Sequence, residues 1–168
     1  MLKQLHKIWR TGLLTEALPA DEQRVLETLG AQAQAAIGRR FHRSLAIRQV
    51  DAGSCNGCEL EIHALNNVYY NLERFGIHFV ASPRHADMLL VTGPVSRHMQ
   101  AALQRAWQAM PDPKLVLAVG ECGANGGEFG VSYASCGAVS NVIPVDGVIR
   151  GCPPTPLDLL RGILEAIA

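Results

Sequence analysis

Past residue 43 the chain alternates short apolar runs with stretches of helical period. Residues 44–50, 77–81, 87–92, 115–119 and 142–145 read as strands. The third contains the uninterrupted run Met88-Leu-Leu-Val91, the mark of a strand buried on both faces. Between the strands the apolar period lengthens to 3.6 residues. A helix is expected over 59–75, with Ile62, Leu65, Tyr69 and Leu72 on one face. A second is expected over 97–110, burying Met99, Leu103, Trp107 and Met110, and a third over 157–167, burying Leu157, Leu160, Leu164 and Ile167. Strand–helix alternation predicts a parallel α/β sheet with helices on both faces. The flavodoxin-like strand order 2-1-3-4-5 is the expectation, with its ligand crevice outside the carboxyl ends of strands one and three.

Residues 1–43 read as an N-terminal helical extension ahead of this domain, which spans 44–168. Leu2, Leu5, Ile8, Trp9 and Leu13 fall near one helical face, with Lys3, Lys7 and Arg10 beside them. A second helix is expected to start near Pro19 and Asp21, to bury Val25, Leu26, Leu29 and Ile37, and to end at Gly38. The cationic first helix suits docking on a partner subunit or a membrane surface.

Composition narrows the function. Fifteen basic and fifteen acidic residues leave no net charge, so no basic face for nucleic acid is expected. No apolar run approaches the roughly 20 residues of a membrane span. Lys3, Lys7 and Arg10 interrupt the N-terminus against a secretory signal, and Arg39-Arg40 is followed by a strand rather than a signal-type apolar segment. Glu16, Asp21, Glu22 and Glu27 weigh against a transit peptide. The expectation is a cytoplasmic protein, in which five cysteines, an odd number, point to metal or redox chemistry rather than disulfides.

Four of those cysteines lie in Gly- or Pro-bearing loops: Cys55 and Cys58 in Asp51-Ala-Gly-Ser-Cys-Asn-Gly-Cys58, Cys122 in Gly120-Glu-Cys-Gly123, and Cys152 in Gly151-Cys-Pro-Pro154. Loops that follow parallel strands share one edge of the sheet, which brings four thiols toward one point. That is what a 4Fe-4S cluster requires. The many nearby glycines leave room for backbone N–H groups to approach the sulfurs of such a buried anionic body, and Pro153 stiffens the last loop. A zinc site uses the same ligand type, but structural zinc motifs commonly pair two Cys-x-x-Cys knuckles and this chain has one. A thioredoxin-like dithiol at Cys55-Asn-Gly-Cys58 leaves Cys122 and Cys152 without a role. Cluster, zinc, dithiol and inert buried cysteines all stand open at this point. Cys136 reads as a small buried thiol, with replacement of one of the other ligands as the alternative.

The segments Cys55-Asn-Gly-Cys-Glu-Leu-Glu-Ile62, Ser82-Pro-Arg-His-Ala-Asp87, Gly120-Glu-Cys-Gly-Ala-Asn-Gly-Gly127 and Ile143-Pro-Val-Asp-Gly-Val-Ile-Arg-Gly-Cys-Pro-Pro-Thr-Pro156 resemble the small subunit of membrane-associated nickel–iron hydrogenases, of the formate hydrogenlyase and hydrogenase-4 type. That family is homologous to the respiratory complex I subunit whose cluster reduces quinone. The resemblance covers residues 44–168. Cys55-x-x-Cys58 is the hydrogenase form, where the complex I subunit has adjacent cysteines. The resemblance implies one 4Fe-4S cluster on Cys55, Cys58, Cys122 and Cys152, and leaves Cys136 out of the ligand set. It implies a non-catalytic electron-transfer role within an oxidoreductase complex. The partners it implies are a hydrogenase large subunit or its complex I-like homologue, a ferredoxin-like iron–sulfur subunit, and membrane subunits. The chain would then sit peripherally on the inner face of the cell membrane. A further twin-arginine signal and a C-terminal domain with more clusters, found in periplasmic relatives, are not expected.

Glu61 matches a family glutamate that follows the first cysteines, with a proton path, a partner interface or a helix first-turn carboxylate as its readings. Arg84 matches an arginine in a loop near the cluster, where a guanidinium favours the more negative reduced state; the other reading is a surface arginine. His85 reads as a solvated or structural loop histidine, and Asp51 and Asp146 as turn residues.

Overall fold

The computed structural model describes residues 2–11 and 20–168. Its sheet has five parallel strands in the order β2-β1-β3-β4-β5, the order expected: β1 Leu45–Asp51, β2 Ile77–Phe79, β3 Met88–Thr92, β4 Leu115–Val119 and β5 Gly147–Ile149. The helices are α1 Leu2–Thr11, α2 Ala20–Phe41, α3 Gly57–Ala64, α4 Arg97–Ala109, α5 Gly120–Asn125 and α6 Pro156–Ile167. No helix among the described residues is long and apolar enough to cross a membrane.

The central strand β3 is buried at all five positions, as its unbroken apolar run predicts. Its alternate residues feed two cores. On one face Met88 and Leu90 pack with Ile47, Leu117 and the inner sides of α2, α3 and α6, including Ile37, Ile62 and Ile163. On the other face Leu89 and Val91 pack with Val116, with Leu103 of α4 and with Val139. Leu90 is fully buried, so Leu90→Ala is expected to cost about 2–5 kcal/mol in a denaturant titration.

Three local expectations need correction. The helix of residues 59–75 stops at Ala64, because the Asn67 Oδ1 accepts the backbone N–H groups of Tyr69 and Tyr70 at 2.8 and 2.9 Å and turns the chain. A 3-10 turn, Leu72–Phe75, completes that segment and buries Leu72. The fifth strand is Gly147–Ile149 rather than 142–145. Ile143 instead fills the second core, Pro144 has no N–H for a ladder, and pairing with β4 begins where Asp146 N–H donates to the Val116 carbonyl. Finally, α2 runs through Gly38 to Phe41. One glycine costs only about 1 kcal/mol in a helix, and Phe41 packs against the core while Arg40 donates to the Ala166 carbonyl at 3.0 Å. The helix stops at His42, whose φ of 55° is left-handed. Leu13 and Pro19 lie outside the described residues.

Candidate functional site

The carboxyl ends of β1, β3, β4 and β5 meet at one edge, and each sends out a loop shaped by specific contacts. After β1, Asp51 Oδ1 accepts the N–H groups of Gly53 and Ser54 at 2.8 and 2.9 Å, folding the chain into a tight turn before Cys55. Asn56 is left-handed and opens α3, which carries Cys58 in its first turn. After β3, Gly93 has φ +77°. A Cβ on it would lie 2.5 Å from the Ser54 nitrogen, so only glycine lets the Cys55 loop pass this close to the sheet. After β4 the chain turns into α5, which carries Cys122. After β5 come Arg150, Gly151 and Cys152, and then α6 opens on a reciprocal Thr155–Asp158 capping box.

The four cysteines line one cavity of about 160 Å³, together with Gly57, Gly93, Glu121, Gly151 and Pro153. Cys58 and Cys122 are half-buried in its wall, and Cys55 and Cys152 are exposed at its mouth. Glycines press on the inner sulfurs. A Cβ on Gly120 would stand 2.7 Å from the Cys58 Sγ, and one on Gly127 would stand 2.6 Å from the Cys122 Sγ.

The electrostatics show what this arrangement asks of a ligand. Burial first, then the charge of Glu59, then the other three thiols, push Cys58 up to about 11. Cys122 is raised by burial and then by Cys152 and Cys55, against which a hydrogen bond from the Glu128 backbone N–H works in the opposite direction. Four thiolates so placed repel one another unless a cationic body stands between them. A single zinc ion at Zn–S distances of about 2.3 Å would need its sulfurs about 3.8 Å apart. Among the described residues no three His, Cys, Asp or Glu side chains are gathered to hold a metal ion; the four thiols line the cavity. In the metal-free chain, Cys58 is therefore expected to alkylate more slowly at pH 8 than Cys55 or Cys152. Mass mapping after a short pulse of iodoacetamide checks this.

The other residues singled out in the sequence are more scattered. Glu61 sits half-buried on α3; the Tyr70 hydroxyl is pushed up by burial first, then by Tyr69 and Glu22, and last by Glu61. Arg84 and His85 are exposed on a 3-10 turn, Pro83–His85, capped by Ser82. None of the three lines the cavity. Asp146 accepts the Val116 N–H at 2.8 Å and registers β5 on β4. Cys136 is buried in the second core, where its thiol donates to Gln100 Oε1 at 3.5 Å.

Two acidic residues went unnoticed in the sequence. Glu59 is only 5% exposed, and neither of its oxygens has a hydrogen-bond partner. Its position three residues before Ile62 places it on the inward face of α3, which the helical period reveals. Glu121 lines the cavity and bonds to the Cys152 loop, a contact with no local sequence signal.

Fold and site together define a parallel α/β domain that gathers four thiols beside its topological switch point. The chain belongs to the family described as NADH ubiquinone oxidoreductase, 20 Kd subunit, which matches residues 55–166. It is 46% identical over 137 residues to formate hydrogenlyase subunit 7 of Escherichia coli, covering 82% of this chain and 54% of that protein. It thus spans about half the length of that relative. It is also 42% identical over 146 residues to the probable membrane-bound hydrogenase subunit mbhJ of Pyrococcus furiosus, covering 87% of this chain and 85% of that one. Among solved structures it is similar to a chain of the membrane-bound sulfane sulfur reductase, an archaeal respiratory membrane complex. There the TM-score is 0.65 at 36% identity, over 80% of this chain and 75% of that chain.

Proposed function

We propose that this chain is the electron-transfer subunit of a membrane-associated nickel–iron hydrogenase, and that Cys55, Cys58, Cys122 and Cys152 hold one 4Fe-4S cluster. The observation that carries the reading is the four-thiol cavity at the switch point, with its glycine-lined inner wall. The relatives with hydrogenase and formate hydrogenlyase names supply the class of complex.

When bound, the cluster supplies one-electron oxidation and reduction. The chain's own residues do the rest. Cys58 and Cys122 would hold its inner side, where the wall is half-buried. The Glu128 N–H donates to the Cys122 sulfur, which favours the charged ligand. Cys55 and Cys152 close the outer side, where the loops are exposed to a partner. No acid or base of this chain is required, because electron transfer to a neighbouring centre makes and breaks no covalent bond.

In this reading a large subunit holds the nickel, a ferredoxin-like subunit exchanges electrons with this chain, and membrane subunits keep the assembly peripheral on the inner face of the cell membrane. The likeness to the sulfane sulfur reductase chain favours a second reading, in which the same subunit serves a complex without hydrogenase activity. Two Cys-x-x-Cys motifs in the partner large subunit separate the two readings.

The test is iron and acid-labile sulfide in anaerobically purified protein, with EPR before and after dithionite. About four of each per chain, with a signal that appears on reduction, is the expected result. Zinc in place of iron, or no metal together with a reversible Cys55–Cys58 disulfide, would sink the proposal and leave a structural or thiol-redox module.

A further inference from the structure

Glu121 connects the loops that follow two neighbouring strands, β4 and β5. Its Oε2 accepts from Arg150 Nη1 at 2.8 Å and from Asn125 Nδ2 at 3.3 Å. Its Oε1 accepts from the Gly151 N–H at 3.4 Å. Its own N–H donates back to the Gly151 carbonyl at 3.0 Å. Residue 121 is thus joined to residues 150 and 151 through both backbone and side chain, and the linked residues stand immediately before Cys122 and Cys152. The seat is rigid on both sides. Gly151 has φ +131°, and a Cβ there would meet the Pro154 backbone at 2.6 Å, while a Cβ on Gly120 would stand 2.7 Å from the Cys58 sulfur.

An exposed ion pair of this kind contributes little to global stability. With Arg150 66% and Glu121 36% exposed, its consequence is local. It ties together the chain just ahead of two thiols, and it sets the Arg150 guanidinium against Glu121, which lines the cavity.

We infer that Glu121 is a positioning residue. With Arg150 it clamps the Cys122 and Cys152 loops into one cradle, and the pair balances the field at the cavity so that neither charge biases the bound group. The charge-balancing half rests on the cluster reading; the clamping half does not.

Two measurements test the halves separately. On the cluster-loaded full chain, redox titration followed by EPR is made for E121Q, R150Q and the double variant. E121Q removes a negative charge and is expected to raise the midpoint potential. R150Q removes a positive charge and is expected to lower it, and the double variant is expected to return close to wild type. Shifts of the same sign in both single variants, or no shift in either, overturn the charge balance. A merely structural role would give equal losses of cluster without opposed shifts.

For the clamp, the metal-free full chain carries Cys55→Ser, Cys58→Ser and Cys136→Ser, leaving Cys122 and Cys152. The probe is dibromobimane, which fluoresces when it bridges two nearby thiols. E121A is expected to slow bridging several-fold, with R150Q intermediate because it spares the contacts between Glu121 and Gly151. Unchanged bridging rates in both overturn the clamp. If the wild-type chain takes up no iron or sulfide, the cluster reading and the charge balance both fall, and the bridging rates decide the clamp alone.

Discussion

Cys152→Ser is expected to strip the protein of most of its iron and sulfide and to abolish or alter the dithionite-reduced EPR signal, with little change in the melting temperature of the metal-free chain. Serine replaces a thiolate with a hydroxyl that iron–sulfur clusters rarely accept. Cys152 is exposed and belongs to neither core, so the fold loses nothing with its sulfur. Cys136→Ser is expected to do the reverse. It puts a hydroxyl into a packed apolar core, where only Gln100 offers a partner, and should cost about 1–3 kcal/mol while iron content stays at the wild-type level. The pair of variants separates a ligand from a buried thiol by two independent readouts. Equal iron in both, or iron lost only from Cys136→Ser, would overturn the assignment of the four ligands.

The second large effect is expected at Gly120. Its φ of +77° already disfavours any side chain, and an added methyl would stand 2.7 Å from the Cys58 sulfur. Gly120→Ala should therefore both strain the backbone, at about 1–2 kcal/mol, and push Cys58 off its position, with a large fall in cluster content. Gly130 supplies the comparison. Its φ is +52° and its Cβ direction is empty to 4 Å, so Gly130→Ala carries backbone strain without touching a sulfur. Gly130→Ala should lower the melting temperature and leave iron loading intact. If both variants load iron equally well, the close packing of glycine on Cys58 has no part in holding the cluster.

Much of this architecture was legible in the chain because its strongest signals are the ones that depend least on context. The apolar run of β3 needs burial on both faces whatever surrounds it, and the alternation of strands and helices leaves few topologies. The observed strand order is the flavodoxin-like one those signals led to expect, and the four cysteine loops meet at one edge of it. What escaped depends on side chains acting on the backbone. Asn67 ends α3 early by offering its carbonyl to two N–H groups. Asp146 chooses where β5 begins by bonding across to Val116. The short α5 holds two glycines in six residues and shows no apolar period, so nothing in the pattern announces it. Glu59 was readable from the helical face of Ile62, whereas the bonds of Glu121 to a loop some 30 residues away exist only once the sheet has formed.

The two hydrophobic cores draw little on the residues that line the cavity. Apart from Cys58, which packs at the margin of the first, the candidate ligands contribute to neither. In small zinc-dependent domains the metal is the core, and losing it unfolds the chain. By that contrast, a subunit with and without a bound group would be expected to present the same folded body to a protease. Cellular surveillance that senses unfolding would pass both. The distinction between a finished and an unfinished subunit would then fall to whatever partner next closes over Cys55 and Cys152, which makes assembly of the complex its own inspection step.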